Sequence, residues 1–170
     1  MKKKCYIVAI VWISLTIVGC TTHCDPFPEE MKAFSPYEEG ETLAFRSSHG
    51  DTLLLVCNYT NFYRGDTELE WNCKCACESW IEHLLEGNGV AISPMIHFYD
   101  NKSLIYRAQC GASLYGEQSY FDVEKPLDAW RNMDTLLLAA GSQRFDSLLV
   151  VKGVGIVGFV DSERGRYTRI

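Results

Sequence analysis

The sequence lacks the charge pattern of a nucleic-acid-binding protein and the short motifs of common enzyme classes. After residue 19 it has 13 basic against 22 acidic residues, a formal charge of −9. Because a phosphate-binding groove needs clustered Lys and Arg, we expect no nucleic-acid partner. The chain contains no Gly-x-Ser-x-Gly elbow, no His-Glu-x-x-His motif and no Cys-x-x-Cys pair. These absences argue against α/β-hydrolase, zincin and thioredoxin-like chemistry.

The first twenty residues have the pattern of an export signal. Met1–Lys4 is a short positive segment, and Cys5–Gly19 is uncharged and too short to span a membrane, which takes about 20 apolar residues. Ile17–Cys20 resembles the lipobox of bacterial lipoprotein signal peptides. That resemblance implies that residues 1–19 form a cleaved signal peptide and that the thiol of Cys20 carries a lipid such as palmitate. The alternative is an ordinary signal or an uncleaved anchor in which Cys20 has no special role.

The segment that follows predicts a lipid-anchored tether. The resemblance implies two or three acyl chains on Cys20, enough for stable membrane attachment. In lipoproteins of enteric bacteria an Asp after the lipidated Cys retains the protein at the inner membrane, so Thr21 at this position favours the outer membrane. Residues 20–40 are acidic and contain three prolines, which favours an extended chain, although packing of the second half on the domain is an open alternative. The six acidic residues between positions 21 and 41 are Asp25, Glu29, Glu30, Glu38, Glu39 and Glu41.

Residues 41–170 predict one mainly β domain. Apolar and polar residues alternate with period two between turn residues, which is typical of antiparallel strands in a β-sandwich or small barrel. One short helix is predicted at residues 78–86, where Trp80 and Leu84 fit a helical period, and residues 111–132 predict a loop or helical turn around Trp130. The predicted strands are residues 42–47, 52–59, 69–75, 96–99, 104–110, 135–139, 145–152, 154–160 and 166–170.

Six cysteines remain after Cys5 and Cys20 are set aside, and an even number in an exported chain predicts disulfides. In an extended strand, thiols two residues apart have Cα atoms about 6.6 Å apart and run parallel, which disfavours bridges within the Cys-x-Cys-x-Cys cluster. Each cluster cysteine therefore needs an outside partner. The candidates are Cys24, Cys57 and Cys110, which leaves six pairings. Cys57 and Cys110 are preferred because they lie in predicted strands, whereas for Cys24, in the tether, both a bridge and a free thiol stay open. The cluster consists of Cys73, Cys75 and Cys77.

A soft-metal site is the main alternative for that cluster. Three thiolates with His83 nearby in sequence would suit Cu(I) or Zn²⁺. The spacing disfavours zinc, which prefers Cys-x₂₋₄-Cys knuckles, whereas a flat strand presents thiols in a row. A redox-exchange role is weaker still because no Cys-x-x-Cys opens a helix.

Two other patterns carry weaker predictions. Gly153–Gly158 matches Gly-x-Gly-x-x-Gly, but only 12 residues follow it and they predict a strand, so we interpret it as a glycine-interrupted strand and expect no nucleotide or other cofactor. Phe62–Tyr63 and Tyr120–Phe121 lie near strand ends, where exposed rings would stack on a sugar or a protein. Core or edge packing is the preferred interpretation for these rings.

The cysteine cluster and the segment Val151–Phe159 resemble parts of small β-rich bacterial lipoproteins, a likeness that implies export and fold class but no activity. We therefore predict a non-enzymatic, membrane-anchored protein with a protein or glycan ligand, or a part in envelope assembly. A hydrolase is the rival prediction. It requires a concave site with a serine or carboxylate near His49, His83 or His97.

Overall fold

A computed structural model of the chain describes residues 24–64, 77–99, 102–112, 118–139 and 144–170. In this part of the chain the fold is mainly β, as predicted. It contains a 3₁₀ helix, Glu29–Phe34, a five-residue helix α1, Leu127–Arg131, and ten strands. The strands are β1 Thr42–Ser47, β2 Thr52–Arg64, β3 Glu78–Gly87, β4 Val90–Tyr99, β5 Ser103–Gly111, β6 Gln118–Pro126, β7 Thr135–Ala139, β8 Phe145–Val151, β9 Gly155–Asp161 and β10 Gly165–Arg169.

All ten strands form one antiparallel sheet in the order β6-β5-β4-β3-β2-β1-β10-β9-β8-β7. Strands that follow one another in the chain pair as antiparallel neighbours, except β6 and β7, which lie at the two ends of the order. The pairing of β1 with β10 joins the first six strands to the last four. The sheet is nearly closed into a barrel. At the seam, the backbone N–H of Phe145 donates to Ser119 Oγ at 3.0 Å, which links β8 to β6. Of the two predicted architectures, the barrel is therefore confirmed and the sandwich is not.

The inner face of the sheet and the N-terminal segment make the core. Phe27, Met31, Phe34 and Tyr37 are buried, and the 3₁₀ helix contacts β4, β9 and α1, which lie on different sides of the curved sheet. Residues 27–37 therefore pack against the domain, as the alternative for the second half of this segment predicts, and they do not form the extended tether predicted for residues 20–40. Burial of four large apolar side chains outweighs the acidic, proline-containing composition that suggested an extended chain.

The predicted helix at residues 78–86 is also wrong, because these residues form β3. Ile81, His83 and Leu85 face inward, and the strand pairs with β2 on one side and β4 on the other. The apolar residues of this segment fit a helical period as well as a strand. Backbone pairing with two neighbours decides the outcome, which local propensity cannot anticipate.

Helix α1 confirms the predicted helical turn around Trp130, but residues 118–126, for which the sequence predicts no strand, form β6. The indole Nε1–H donates to the Leu104 carbonyl at 2.9 Å, and the ring packs edge-on against Phe34 at 5.3 Å. Trp130 is fully buried and fastens the helix to both β5 and the N-terminal segment. None of the helices in the described ranges is long and apolar enough to cross a membrane.

Candidate functional site

The Cys24–Cys77 disulfide joins the N-terminal segment to the start of β3. Its Cα atoms are 5.3 Å apart, across 53 residues of sequence. This bridge pairs a cluster cysteine with an outside partner, as predicted, and it uses Cys24, the partner whose state the sequence left open. Cys57 and Cys110, the preferred bridge partners, are both free and buried. They occupy one register row across four strands, about 14 Å apart at an interstrand spacing of about 4.8 Å, too far to bridge.

The proposed metal set is not assembled in this structure. Cys77 is oxidised and has no thiolate to donate, while Cys73 and Cys75 lie outside the described residues. Within the described ranges no three His, Cys, Asp or Glu side chains are placed to hold a metal ion. His83, the fourth candidate ligand, is buried in the interior of the sheet. These findings favour the structural over the metal-binding use of Cys77.

His83 belongs to a buried polar cluster. Its Nδ1 lies 3.0 Å from Thr60 Oγ1, and its ring is edge-on to Tyr37 at 5.3 Å. Burial lowers the pKa of His83 to about 4, and the same cause raises the pKa of the Tyr37 phenol. Both groups are therefore neutral at pH 7. Since His83 is 1% exposed, this cluster presents no open face to a substrate.

Four aromatic side chains form a row on the outer face of β2, β3 and β4, which we call the aromatic row: Tyr63, Trp80, His97 and Tyr99. Tyr63 and Trp80 are stacked with ring centroids 3.9 Å apart. Trp80 is edge-on to His97 at 5.8 Å, and His97 is tilted against Tyr99 at the same distance. Tyr63 is 43% exposed, and the other three are partly exposed.

The row is a product of strand register. Tyr63 pairs with Trp80, and Trp80 pairs with His97, so the three residues stand directly opposite one another on three strands. Tyr99 lies two residues after His97 and therefore points to the same face. In a strand, side chains alternate between faces, which places these rings on the solvent side while Ile81 and Phe98 are buried on the other.

Polar and charged side chains lie next to the aromatic row. The His97 Nε2 atom lies 3.8 Å from a Glu78 carboxylate oxygen and has no hydrogen-bond partner among the described residues. The Tyr99 hydroxyl donates to Glu124. Arg107 pairs with Asp122 at 3.0 Å. Burial lowers the pKa of His97 more than the Glu78 carboxylate raises it, so the imidazole is neutral at pH 7. The border is therefore rich in hydrogen-bond acceptors and carries net negative charge.

Sequence reasoning found part of this surface. Tyr63 was one of the rings considered for stacking, and it lies in the row. Tyr120 is 59% exposed on β6 but lies off the row, and Phe121 is buried. Phe62 packs edge-on against Phe27 at 5.8 Å, as edge packing predicts. Trp80 and His97 were missed as surface residues, because Trp80 was assigned to a helix and a cross-strand row depends on pairing.

His49 and His97 are the other two histidines named in the hydrolase prediction. His49 is exposed in the turn between β1 and β2, where its backbone N–H donates to Ser47 Oγ. His97 has the Glu78 carboxylate nearby, and both residues lie on the outer face of the sheet. Comparison of the chain with protein-family models, with curated proteins and with solved structures finds no match.

Proposed function

We propose that this chain is a lipid-anchored, non-enzymatic binding protein whose aromatic row holds a neutral glycan. The row itself carries the proposal, because soluble proteins rarely cluster large rings on the solvent face of a sheet without a partner. Aromatic faces pack against the apolar C–H faces of sugar rings.

The charges around the row select among ligands. Sugar hydroxyls donate hydrogen bonds, and the carboxylates of Glu78, Asp122 and Glu124 accept them. The same carboxylates repel phosphate and sulfate groups, which disfavours nucleic acids and anionic polysaccharides. A ligand on the outer face of the sheet stays in contact with water, which suits binding better than a reaction that needs an enclosed site.

The Cys24–Cys77 disulfide limits the distance between the aromatic row and the proposed lipid anchor at Cys20. Cys24 is four residues after Cys20, so at about 3.6 Å per extended residue the lipidated residue would lie within about 14 Å of the Cys24–Cys77 bridge. Trp80 follows Cys77 by three residues. The proposed anchor therefore keeps the aromatic row close to the membrane, as envelope assembly or capture of an envelope glycan requires.

The test is a binding titration of the purified protein with neutral oligosaccharides of cellulose, starch and chitin type. Tyr63→Ala and Trp80→Ala are expected to weaken binding by about tenfold or more, since each removes a stacking face. Tyr120→Ala is the control, because that ring is 59% exposed, more than the 43% of Tyr63, but lies off the row. Unchanged binding in the Trp80 variant, or release of shorter oligosaccharides during the titration, would contradict the proposal.

A further inference from the structure

A second surface, on the outer face of β7 to β10, is an apolar groove of about 710 Å³. This volume lies within the range of about 300–1,000 Å³ typical of small-molecule sites. Leu137 is 68% exposed and Val154 is 42% exposed, which is unusual for apolar side chains that serve only the fold. The side chains that give the groove its apolar character are Leu137, Leu149, Val154, Val157 and Val160.

One register row runs the length of this groove. Leu137 pairs with Leu149, Leu149 with Gly158, Gly158 with Thr168, and Thr168 with Arg46. The row crosses five strands, about 19 Å at an interstrand spacing of about 4.8 Å. At its centre Gly158 has no side chain, so the backbone forms the floor between the flanking residues. The groove therefore fits a slender, extended apolar ligand.

Two arginines stand at the β1–β10 end of the row. Arg46 is directly opposite Thr168, and Arg166 is two residues from Thr168 on the same face of β10. Both are exposed. Over the ranges that the structure describes, neither side chain has a hydrogen-bond or ion-pair partner, whereas Arg144 and Arg169 are both paired. Acidic residues outnumber basic ones in this chain. Two guanidiniums that nevertheless have no such partner among the described residues, beside an apolar groove, form a site for an anionic head group.

We propose that this groove binds a fatty-acid anion, with the alkyl chain along the register row and the carboxylate at Arg46 and Arg166. A guanidinium presents paired N–H donors that match the two oxygens of a carboxylate. The alkyl chain covers Leu137, Leu149 and Val160 and removes their apolar surface from water. This site is separate from the aromatic row and does not depend on glycan binding.

The test compares three ligands of equal chain length on the purified protein: dodecanoate, dodecanol and dodecyltrimethylammonium, each below its micellar concentration. Isothermal titration calorimetry should show one site that prefers dodecanoate over dodecanol by about tenfold or more, as charge-assisted hydrogen bonds predict. The cationic ligand should bind most weakly. Equal affinity for dodecanoate and dodecanol would overturn the assignment of the head-group site.

Variants locate the two parts of the site. The double variant Arg46→Gln/Arg166→Gln should lose the preference for dodecanoate while it still binds dodecanol. Leu137→Ser/Leu149→Ser should weaken both ligands, and circular dichroism confirms that each variant is folded. Arg164→Gln is the control, because this arginine donates to the Asn88 carbonyl at 3.0 Å and does not line the groove. Unchanged dodecanoate affinity in the double arginine variant would overturn the proposal, as would a dimer in native mass spectrometry that dodecanoate does not dissociate.

Discussion

The hydroxyl of Tyr37 accepts a hydrogen bond from the backbone N–H of Ile156 at 2.6 Å, across 119 residues of sequence. This contact joins the N-terminal segment to the start of strand β9, where Ile156 is fully buried. Gly155 has a φ of +80°, and a Cβ at this position would overlap the Tyr37 ring. The N-terminal segment is therefore part of the core, and a glycine makes room for it.

Gly155→Ala should destabilise the protein far more than Gly153→Ala. Both glycines have positive φ, but a Cβ at Gly153 has nothing within 4 Å. Gly153→Ala should cost about 1–2 kcal/mol for the left-handed backbone alone, and Gly155→Ala should cost that amount plus displacement of Tyr37. Urea denaturation of both variants measures the difference. Equal losses would show that Tyr37 does not press on this turn.

The stability of the protein should fall as the pH drops from 6.5 to about 4, in part because of His83. The folded-state pKa of about 4 lies below the unfolded value of 6.5, so the unfolded chain binds more protons in this window. The stabilisation is complete above pH 6.5, and roughly 3 kcal/mol is lost by pH 4, at about 1.4 kcal/mol per pH unit. His83→Gln should flatten this part of the pH–stability curve. His49→Gln, at an exposed histidine, should leave it unchanged, and an unaltered curve in the His83 variant would contradict the assignment.

Loss of the Cys24–Cys77 bridge should lower the free energy of unfolding by about 4 kcal/mol, the chain-entropy value for a loop of this length. Denaturation of Cys24→Ser/Cys77→Ser against the wild type measures the loss. Dithiothreitol should destabilise the wild type and leave the double variant unchanged. Peptide mapping with a thiol-blocking reagent should label Cys57 and Cys110 only after unfolding, without reduction, because both thiols are free and buried.

Arg144→Met should destabilise the protein by about 3–5 kcal/mol, because it leaves a buried carboxylate without its counter-charge. Arg144 pairs at 3.1 Å with Asp161, which is 0% exposed and also accepts the backbone N–H groups of Glu163 and Arg164. Arg131→Met is the control, since the Arg131–Glu30 pair is about half exposed on both sides. That control should change stability by less than about 1 kcal/mol. Similar losses in the two variants would mean that burial of Asp161 is not decisive.

Most strands could be predicted from the pattern of the amino-acid sequence. Alternation with period two places β1 at Thr42–Ser47 and β7 at Thr135–Ala139, and the turn residues between β1 and β2 and between β9 and β10 mark real hairpins. The glycine-interrupted strand is confirmed, because Gly155 and Gly158 lie in β9 and Gly158 approaches the Tyr167 backbone closely. The cleaved leader and the lipid on Cys20 remain predictions.

The cysteine pairing and the two candidate surfaces could not be predicted in this way. Side-chain alternation is a property of a few consecutive residues, so the sequence alone decides that this chain forms antiparallel strands. Which residues meet across strands depends on register and on closure of the whole sheet. Packing of the N-terminal segment brings Cys24 to Cys77, the register of β2 and β3 aligns Tyr63 with Trp80, and the pairing of β1 with β10 places Arg46 opposite Thr168 of the groove. These contacts join residues far apart in the chain, and their free energy exists only once the barrel has formed.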